Sequence, residues 1–207
     1  MPSSSLRLLL LRHGLTDWNE TGRLLGRIEV GLNQRGIAQA EAAAEALRDW
    51  PLHAVLSSPQ RRTQETAVPL ATSHGLTVQT EPALDEVWLG RWQGKTLDEI
   101  SEDPDLHRYI NDPTYVCDAI EPTTQVQERV VALVERLRAE ATGQTVALVS
   151  HGDPLRALLA HYLSIDLHLF RCLTVSPGSV SVLRVGSRGS RLLTLNWKLG
   201  ALKEVVS

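Results

Sequence analysis

Cysteine is scarce in this 207-residue chain, and the two present follow no useful spacing. Cys117 and Cys172 are too few for a disulfide framework and lack the spacing of a metal site. Both are expected as reduced thiols, which points to the cytoplasm. Long apolar runs are also missing. None approaches the roughly 20 residues that a membrane-crossing helix requires. Charge of one sign is absent too, since 21 Lys and Arg face 24 Asp and Glu for a formal charge of -3. That balance gives no electrostatic basis for a nucleic-acid or membrane partner. The opening Met1-Pro2-Ser3-Ser4-Ser5 lacks the basic and apolar regions of a secretion signal. Internal repeats and low-complexity tracts are not found. With 43% hydrophobic and 22% charged residues, the composition is that of an ordinary globular protein. The length suits a single domain, residues 1–207, with one core.

What the chain does contain is a regular exchange of apolar runs for helical periods. Leu8-Leu9-Leu10-Leu11 reads as a buried strand. After a polar, glycine-containing loop from Leu15 to Leu32, Asn33 is placed to cap a helix reaching about Arg48. Ile37, Ala40, Ala44 and Leu47 share one face of it. Ala54-Val55-Leu56-Ser57 is a second strand, and Ser58-Pro59 suits the N-cap and first position of a helix to about His74. Val78 to Thr80 is a weaker strand. From Glu81 to Pro122 periodicity is lost, a stretch too long for a plain connection and typical of an inserted lid or cap. Thr124 and Gln127 form a capping-box pattern opening a helix to about Thr142. Val146-Ala147-Leu148-Val149 is another buried strand, followed by a helix with Asp153 as N-cap and Pro154 at its first position. Val180–Val185 and Leu192–Asn196 read as a late hairpin. The expected fold is therefore α/β: a three-layer α/β/α sandwich with a mostly parallel central sheet and a small helical cap inserted at about 81–123.

Open sheets of this kind bind ligands beyond the carboxyl ends of their strands. Here the first strand ends in Arg12-His13-Gly14 and the later one in Ser150-His151-Gly152, so two imidazoles are delivered to that edge. The end of the second strand adds Ser57-Ser58 and, one helical turn on, Arg62. Two histidines and two arginines at one crevice suit an anion, and arginine's planar fork matches phosphate oxygens. Arg62 falls where free helix N–H groups add to the attraction. A neutral imidazole can attack phosphorus directly, and a departing alkoxide then needs a proton. Glu86, in Leu84-Asp85-Glu86-Val87-Trp88-Leu89-Gly90, is the candidate acid. Trp88 and Trp92 are expected to pack the cap onto the sheet.

These segments together resemble the histidine phosphatase superfamily, in its phosphoglycerate-mutase-like branch. The resemblance rests on Leu11-Arg12-His13-Gly14 with Thr16, Trp18 and Asn19; Ser57-Ser58-Pro59 with Arg62, Thr66 and Ala67; Glu86 with Gly90, Gln93 and Gly94; and Ser150-His151-Gly152 with Arg156. It implies that His13 is the phosphorylated nucleophile, that Arg12, Arg62 and His151 form the phosphate pocket, and that Glu86 is the acid and later the base. It also implies substrate contacts from Asn19 and from the backbone at Gly26 and Gly152, with no metal and no cofactor. The activity implied is a metal-independent phosphomonoesterase acting through phosphohistidine on a small phosphorylated metabolite. A cofactor-dependent phosphoglycerate mutase is the alternative, and an inactive phospho-ligand-binding protein is a third reading. The chain departs from the mutases at Val87, where they carry arginine, and at Leu25-Gly26-Arg27, which replaces a polar-glycine-tryptophan run. Its Thr96–Pro122 stretch is acidic, with Arg108 as the only arginine. Glu121-Pro122-Thr123-Thr124 stands where relatives show a Gly-Gly-Glu-Ser-like stretch.

Overall fold

The computed structural model describes residues 5–117 and 120–198. The opening Met1-Pro2-Ser3-Ser4, where a secretion signal would begin, lies outside these residues. Six strands form one sheet: β1 (Ser5–Arg12), β2 (Ala54–Ser57), β3 (Val78–Thr80), β4 (Thr145–Ser150), β5 (Val180–Gly186) and β6 (Gly189–Trp197). Their order is β3-β2-β4-β1-β5-β6. The first four in that order run parallel, whereas β5 and β6 are added antiparallel at one edge. The sheet is thus mostly parallel, as expected.

Side-chain alternation along β1 explains the layers. Leu6, Leu8 and Leu10 pack against Leu133 and Val134 of α5 (Thr123–Glu140) and against Leu155 and Leu158 of α6 (Gly152–Tyr162). Leu9 and Leu11 point the other way, onto Ala43 and Ala44 of α2 (Gln34–Ala46) and Ala67 and Leu70 of α3 (Arg61–Ser73). Each fully buried leucine contributes about 1.5–3 kcal/mol of transfer free energy, so a one-residue slip of β1 is strongly disfavoured.

Several helix starts differ from expectation. Asn33 caps α2 as foreseen, accepting from the Gly36 N–H at 2.9 Å, and Ala40, Ala44 and Leu47 are buried as expected, but Ile37 faces outward and Gly36 and Ala43 complete the buried face. Helix α3 begins at Arg61 with Gln60 in the cap position, because the Ser58 hydroxyl is engaged elsewhere. The box expected at Thr124 and Gln127 does not form. Pro122 with its fixed φ precedes α5, and the Gln127 amide donates to the Ala157 carbonyl at 3.0 Å. In α6 the cap position belongs to His151, and Asp153 lies in the first turn, paired with Arg156 at 2.9 Å. The loop after β1 contains one helical turn, α1 (Asp17–Glu20), held by reciprocal bonds between Thr16 and Asn19.

Between β3 and α5 the chain makes 3-10 turns at Pro82–Leu84, Gly90–Trp92 and Asp98–Ile100 and a short helix, α4 (Pro104–Asn111). Val87, Leu89, Trp92, Ile100 and Tyr109 form a third apolar cluster with Phe170 and with Ala157 and Ala160 of α6. Trp92 is fully buried there and donates to Asp103 at 2.8 Å, whereas Trp88 stays 42% exposed and does not pack as expected. No helix among the described residues is long and apolar enough to cross a membrane.

Candidate active site

The register of the central pair builds the site. Arg12 of β1 lies opposite Ser150 of β4, and the His13 N–H continues the ladder to the Ser150 carbonyl at 3.0 Å. His13 and His151 therefore leave adjacent strands side by side, with ring centroids 5.2 Å apart. The Ser58 N–H bonds the Val149 carbonyl at 3.0 Å and brings the end of β2 to the other flank of β4.

The hydrogen bonds assign the His13 tautomer. Nδ1 lies 2.8 Å from the Gly14 carbonyl, which can only accept, so Nδ1 carries the proton in the neutral ring. Nε2 then holds a lone pair, and it is buried with no partner. Burial, followed by the Arg12 and Arg62 charges, holds this imidazole well below its usual range, so it is neutral near pH 7. Glycine at 14 is a packing requirement. A Cβ there would stand 2.4 Å from the Gly36 carbonyl oxygen, at the first turn of α2. The Gly14 N–H is fixed by Thr66 of α3 at 3.0 Å.

His151 is oriented from behind. Its Nε2 lies 2.9 Å from the Ser58 hydroxyl, which also meets Gln60 and, at 3.1 Å, the Asp85 carboxylate. Its Nδ1 is buried and unpartnered. Burial and then Arg62 keep it neutral too.

Arg62, fully buried in the first turn of α3, donates to the carbonyls of Gly26 at 2.7 Å and Ile28 at 2.9 Å. Arg12 donates to the Val175 carbonyl at 2.7 Å, and burial lowers it to about 10, so it is still cationic at neutral pH. Among the described residues, no carboxylate lies within ion-pair distance of either guanidinium. The Nε atoms of both are buried without partners. Of the seven such polar side-chain atoms among the described residues, four belong to Arg12, His13, Arg62 and His151. Buried polar groups are ordinarily satisfied, so this concentration describes a cradle shaped for an anion with several acceptors.

Glu86 is half-buried, and one of its oxygens accepts from the Val87 N–H at 3.0 Å. Burial, then the nearby Asp153 charge, pushes its carboxyl up to about 7, against a smaller pull from Arg62 and Arg12. Asp85, its neighbour, serves the Ser58 and Gln60 side chains instead. Gly152 lets Arg12 lie over the start of α6; a Cβ there would come within 3.4 Å of the guanidinium carbon. Gly26 adopts φ +48°, and its carbonyl acts on Arg62. Asn19 lies in the α1 cap, its side-chain oxygen taken by Thr16. Ser58 reaches the crevice edge as the sequence suggests and Thr66 lies in the segment that carries the resemblance, but the bonds they make to His151 and Gly14, and the part of Asp85, were not legible there. A Ser-Pro pair reads locally as a helix cap, and a lone Asp beside Glu86 carries no distinguishing signal. Among the described residues no group of three or more His, Cys, Asp or Glu side chains is arranged to hold a metal ion.

Comparison with known proteins places this geometry in context. The sequence profile of the family described as "Histidine phosphatase superfamily (branch 1)" matches residues 8–198. Phosphoserine phosphatase 1 of Hydrogenobacter thermophilus is 33% identical over 194 residues, covering 92% of each chain. A protein described as "Probable phosphoglycerate mutase" from Yersinia pestis is 31% identical, over 93% of this chain and 90% of its own length. Among solved structures, a mycobacterial glucosyl-3-phosphoglycerate phosphatase superposes with a TM-score of 0.84 at 32% identity, over 93% of this chain and 99% of that one.

Proposed function

Because this chain belongs to branch 1 of the histidine phosphatase superfamily, we propose that it hydrolyses small phosphate monoesters through a phosphohistidine at His13. The observation that carries this reading is the set of four buried, unpartnered atoms on Arg12, His13, Arg62 and His151. In the first step the His13 Nε2 lone pair attacks phosphorus, and the bond to the ester oxygen breaks. Glu86, its carboxyl raised by burial to about 7 so that a substantial share is protonated at neutral pH, gives its proton to the departing alkoxide. In the second step the Glu86 carboxylate takes a proton from water, whose oxygen displaces His13 and yields inorganic phosphate. Arg12 and Arg62 hold the equatorial oxygens as charge redistributes. The Ser58 hydroxyl, whose one proton is directed to Gln60 and Asp85, accepts from His151 Nε2–H, so His151 donates to a phosphoryl oxygen through Nδ1 once the bound anion draws a second proton onto the ring.

In this reading the 81–123 segment is a cap over the crevice of a single domain, and Asn19, Gly26 and Gly152 border the bound ester. The substrate is a small phosphorylated metabolite, the class that the names of the phosphoserine and glucosyl-3-phosphoglycerate phosphatases specify for those proteins. The location, on the sequence grounds given above, is the cytoplasm. Hydrolysis is favoured over mutase turnover because Arg91 of the cap, and Arg27 and Arg129 beside it, are already paired. Asp103 and Asp105 bind Arg91, and Glu121 binds Arg27 and Arg129, so the segment offers little free cation to retain a second anionic group.

The expected result is release of phosphate from 4-nitrophenyl phosphate without bisphosphoglycerate, with an acid-labile phosphoryl adduct trapped on His13. In His13→Ala both should disappear. Phosphate release that persists in that variant, or turnover seen only as 2- to 3-phosphoglycerate interconversion, would overturn the reading. Activity should also survive dialysis against a strong chelator; a loss restored by added metal would contradict it.

A further inference from the structure

Resting on that reading of Glu86 as the acid, we infer that Glu121 is a positioning residue: it locks Arg27 and Arg129 onto the Glu86 main chain and thereby sets the acid against the phosphate cradle. The geometry is specific. The Glu86 carbonyl accepts from Arg27 Nε at 2.9 Å and from Arg129 Nη2 at 3.3 Å. Glu121 accepts from Arg27 Nη2 at 2.8 Å and from Arg129 Nε at 2.9 Å, so one carboxylate fixes both guanidiniums. It also grips the acid loop directly. Its Oε2 accepts from the Trp88 N–H at 3.1 Å, while its own N–H donates to the Trp88 carbonyl at 2.9 Å. Arg129 reaches further to the Ala83 carbonyl at 2.7 Å, spanning the turn that precedes Glu86.

The same clamp touches the anion cradle. Arg27 sits between Gly26 and Ile28, the two residues whose carbonyls orient Arg62. One turn of chain thus carries, on its side chain, the acid loop and, on its main chain, the phosphate-binding arginine. Glu121 is largely buried, with 13% side-chain exposure, so its charge is poorly screened and its bonds are of the charge-assisted kind. Without that charge, Arg27 is free to close on Asp85, already 3.9 Å away, and release the Glu86 carbonyl.

The test compares two esters by kcat/KM, which reports steps up to formation of the phosphoenzyme. Phosphoserine needs a proton on its leaving alkoxide; 4-nitrophenyl phosphate does not. Glu121→Gln should lower kcat/KM for phosphoserine by about 10- to 100-fold and for the aryl ester by less than about threefold. Inhibition by inorganic phosphate should change by less than about threefold, since Arg62 is oriented by the main-chain carbonyls of Gly26 and Ile28 rather than by the Arg27 side chain. In a Glu86→Gln background the added Glu121→Gln should cost phosphoserine turnover almost nothing more, because both act through one proton. Equal losses on the two esters, or fully additive losses in the double variant, would overturn the proposal. If Glu121→Gln does not fold, Arg27→Lys at the more exposed end of the clamp should give the same ordering, and failure to do so would equally overturn it. Failure of the underlying reading would show separately, as wild-type turnover that is absent or indifferent to His13→Ala.

Discussion

Glu86 and Asp85 are adjacent carboxylates with different assignments, and the difference comes from partners rather than from residue type. Asp85 is held by Ser58 and Gln60. Glu86 has a single backbone donor, and burial beside Asp153 lifts its carboxyl to about 7. An acid catalyst is active in its protonated form, so the consequence for pH has a definite sign. For an ester with a poor leaving group, kcat/KM should be flat on the acid side and fall as pH rises through about 7. Glu86→Gln should remove that limb and cost about 100- to 10,000-fold on such esters, but less than about tenfold on 4-nitrophenyl phosphate. Steady-state kinetics over pH 5 to 9 would check both, and an unchanged limb in the variant would assign the titration to another group. The main participants at this scale were legible in the sequence. His13 and His151 follow buried apolar runs, and Arg62 sits one turn after Pro59. The partners of Ser58 and Thr66, and the part played by Arg129, were not, because a hydroxyl or a mid-helix arginine acquires its role only from neighbours distant in sequence.

At the scale of elements, β1, β2, β4 and β5 were readable because each is an apolar run largely buried in the sheet, whereas β3 and β6 lie at its edges, more exposed, and give a weaker signal. Helix starts were less so. Ser58-Pro59 and the Thr124–Gln127 pair satisfy local capping rules, yet tertiary partners claim Ser58 and Gln127 before the helix can. The contact that sets the His13 loop also escaped local reading. Gly14 and Gly36 meet so closely that a Cβ on Gly36 would lie 2.1 Å from the Leu15 carbonyl oxygen. This gives a prediction of unusual sign. Inside a helix, replacing Gly with Ala ordinarily stabilises by about 1 kcal/mol. Here the methyl group would strike main chain, which cannot swing aside as a flexible side chain can. Gly36→Ala should instead destabilise by about 1–3 kcal/mol in chemical denaturation, the cost typical of overpacking. It should also lower kcat, since the Leu15 carbonyl belongs to the loop that leaves His13. A neutral or stabilised variant would show that this approach is looser than the geometry states.

Across the whole molecule, the site is a concentration of groups that the fold holds against their own solvation. Among the described residues, the buried Nε atoms of Arg12 and Arg62 have no partner and no carboxylate pairs with either group, while the two imidazoles are held neutral, with one proton each. The stability consequence can be signed group by group. His13 and His151 have folded-state pKa values well below the 6.5 expected in the unfolded chain. Below pH 6.5 the unfolded chain therefore binds protons that the folded one refuses, and stability falls as pH falls, by at most about 1.4 kcal/mol per pH unit for each imidazole. Glu86 works in the opposite direction. Its carboxyl is raised from 4.5 to about 7, so its contribution is lost as pH rises across that interval. The two effects separate by substitution. His13→Gln should flatten the decline in Tm below pH 6.5, and Glu86→Gln should raise Tm at pH 8 more than at pH 5. Inorganic phosphate bears on the same balance, because it supplies the missing acceptors and gives a reason for the imidazoles to hold protons. It should stabilise the wild type in proportion to the logarithm of its concentration. In Arg62→Ala that stabilisation should largely vanish. A phosphate-induced Tm shift that survives Arg62→Ala intact would mean that the anion binds elsewhere.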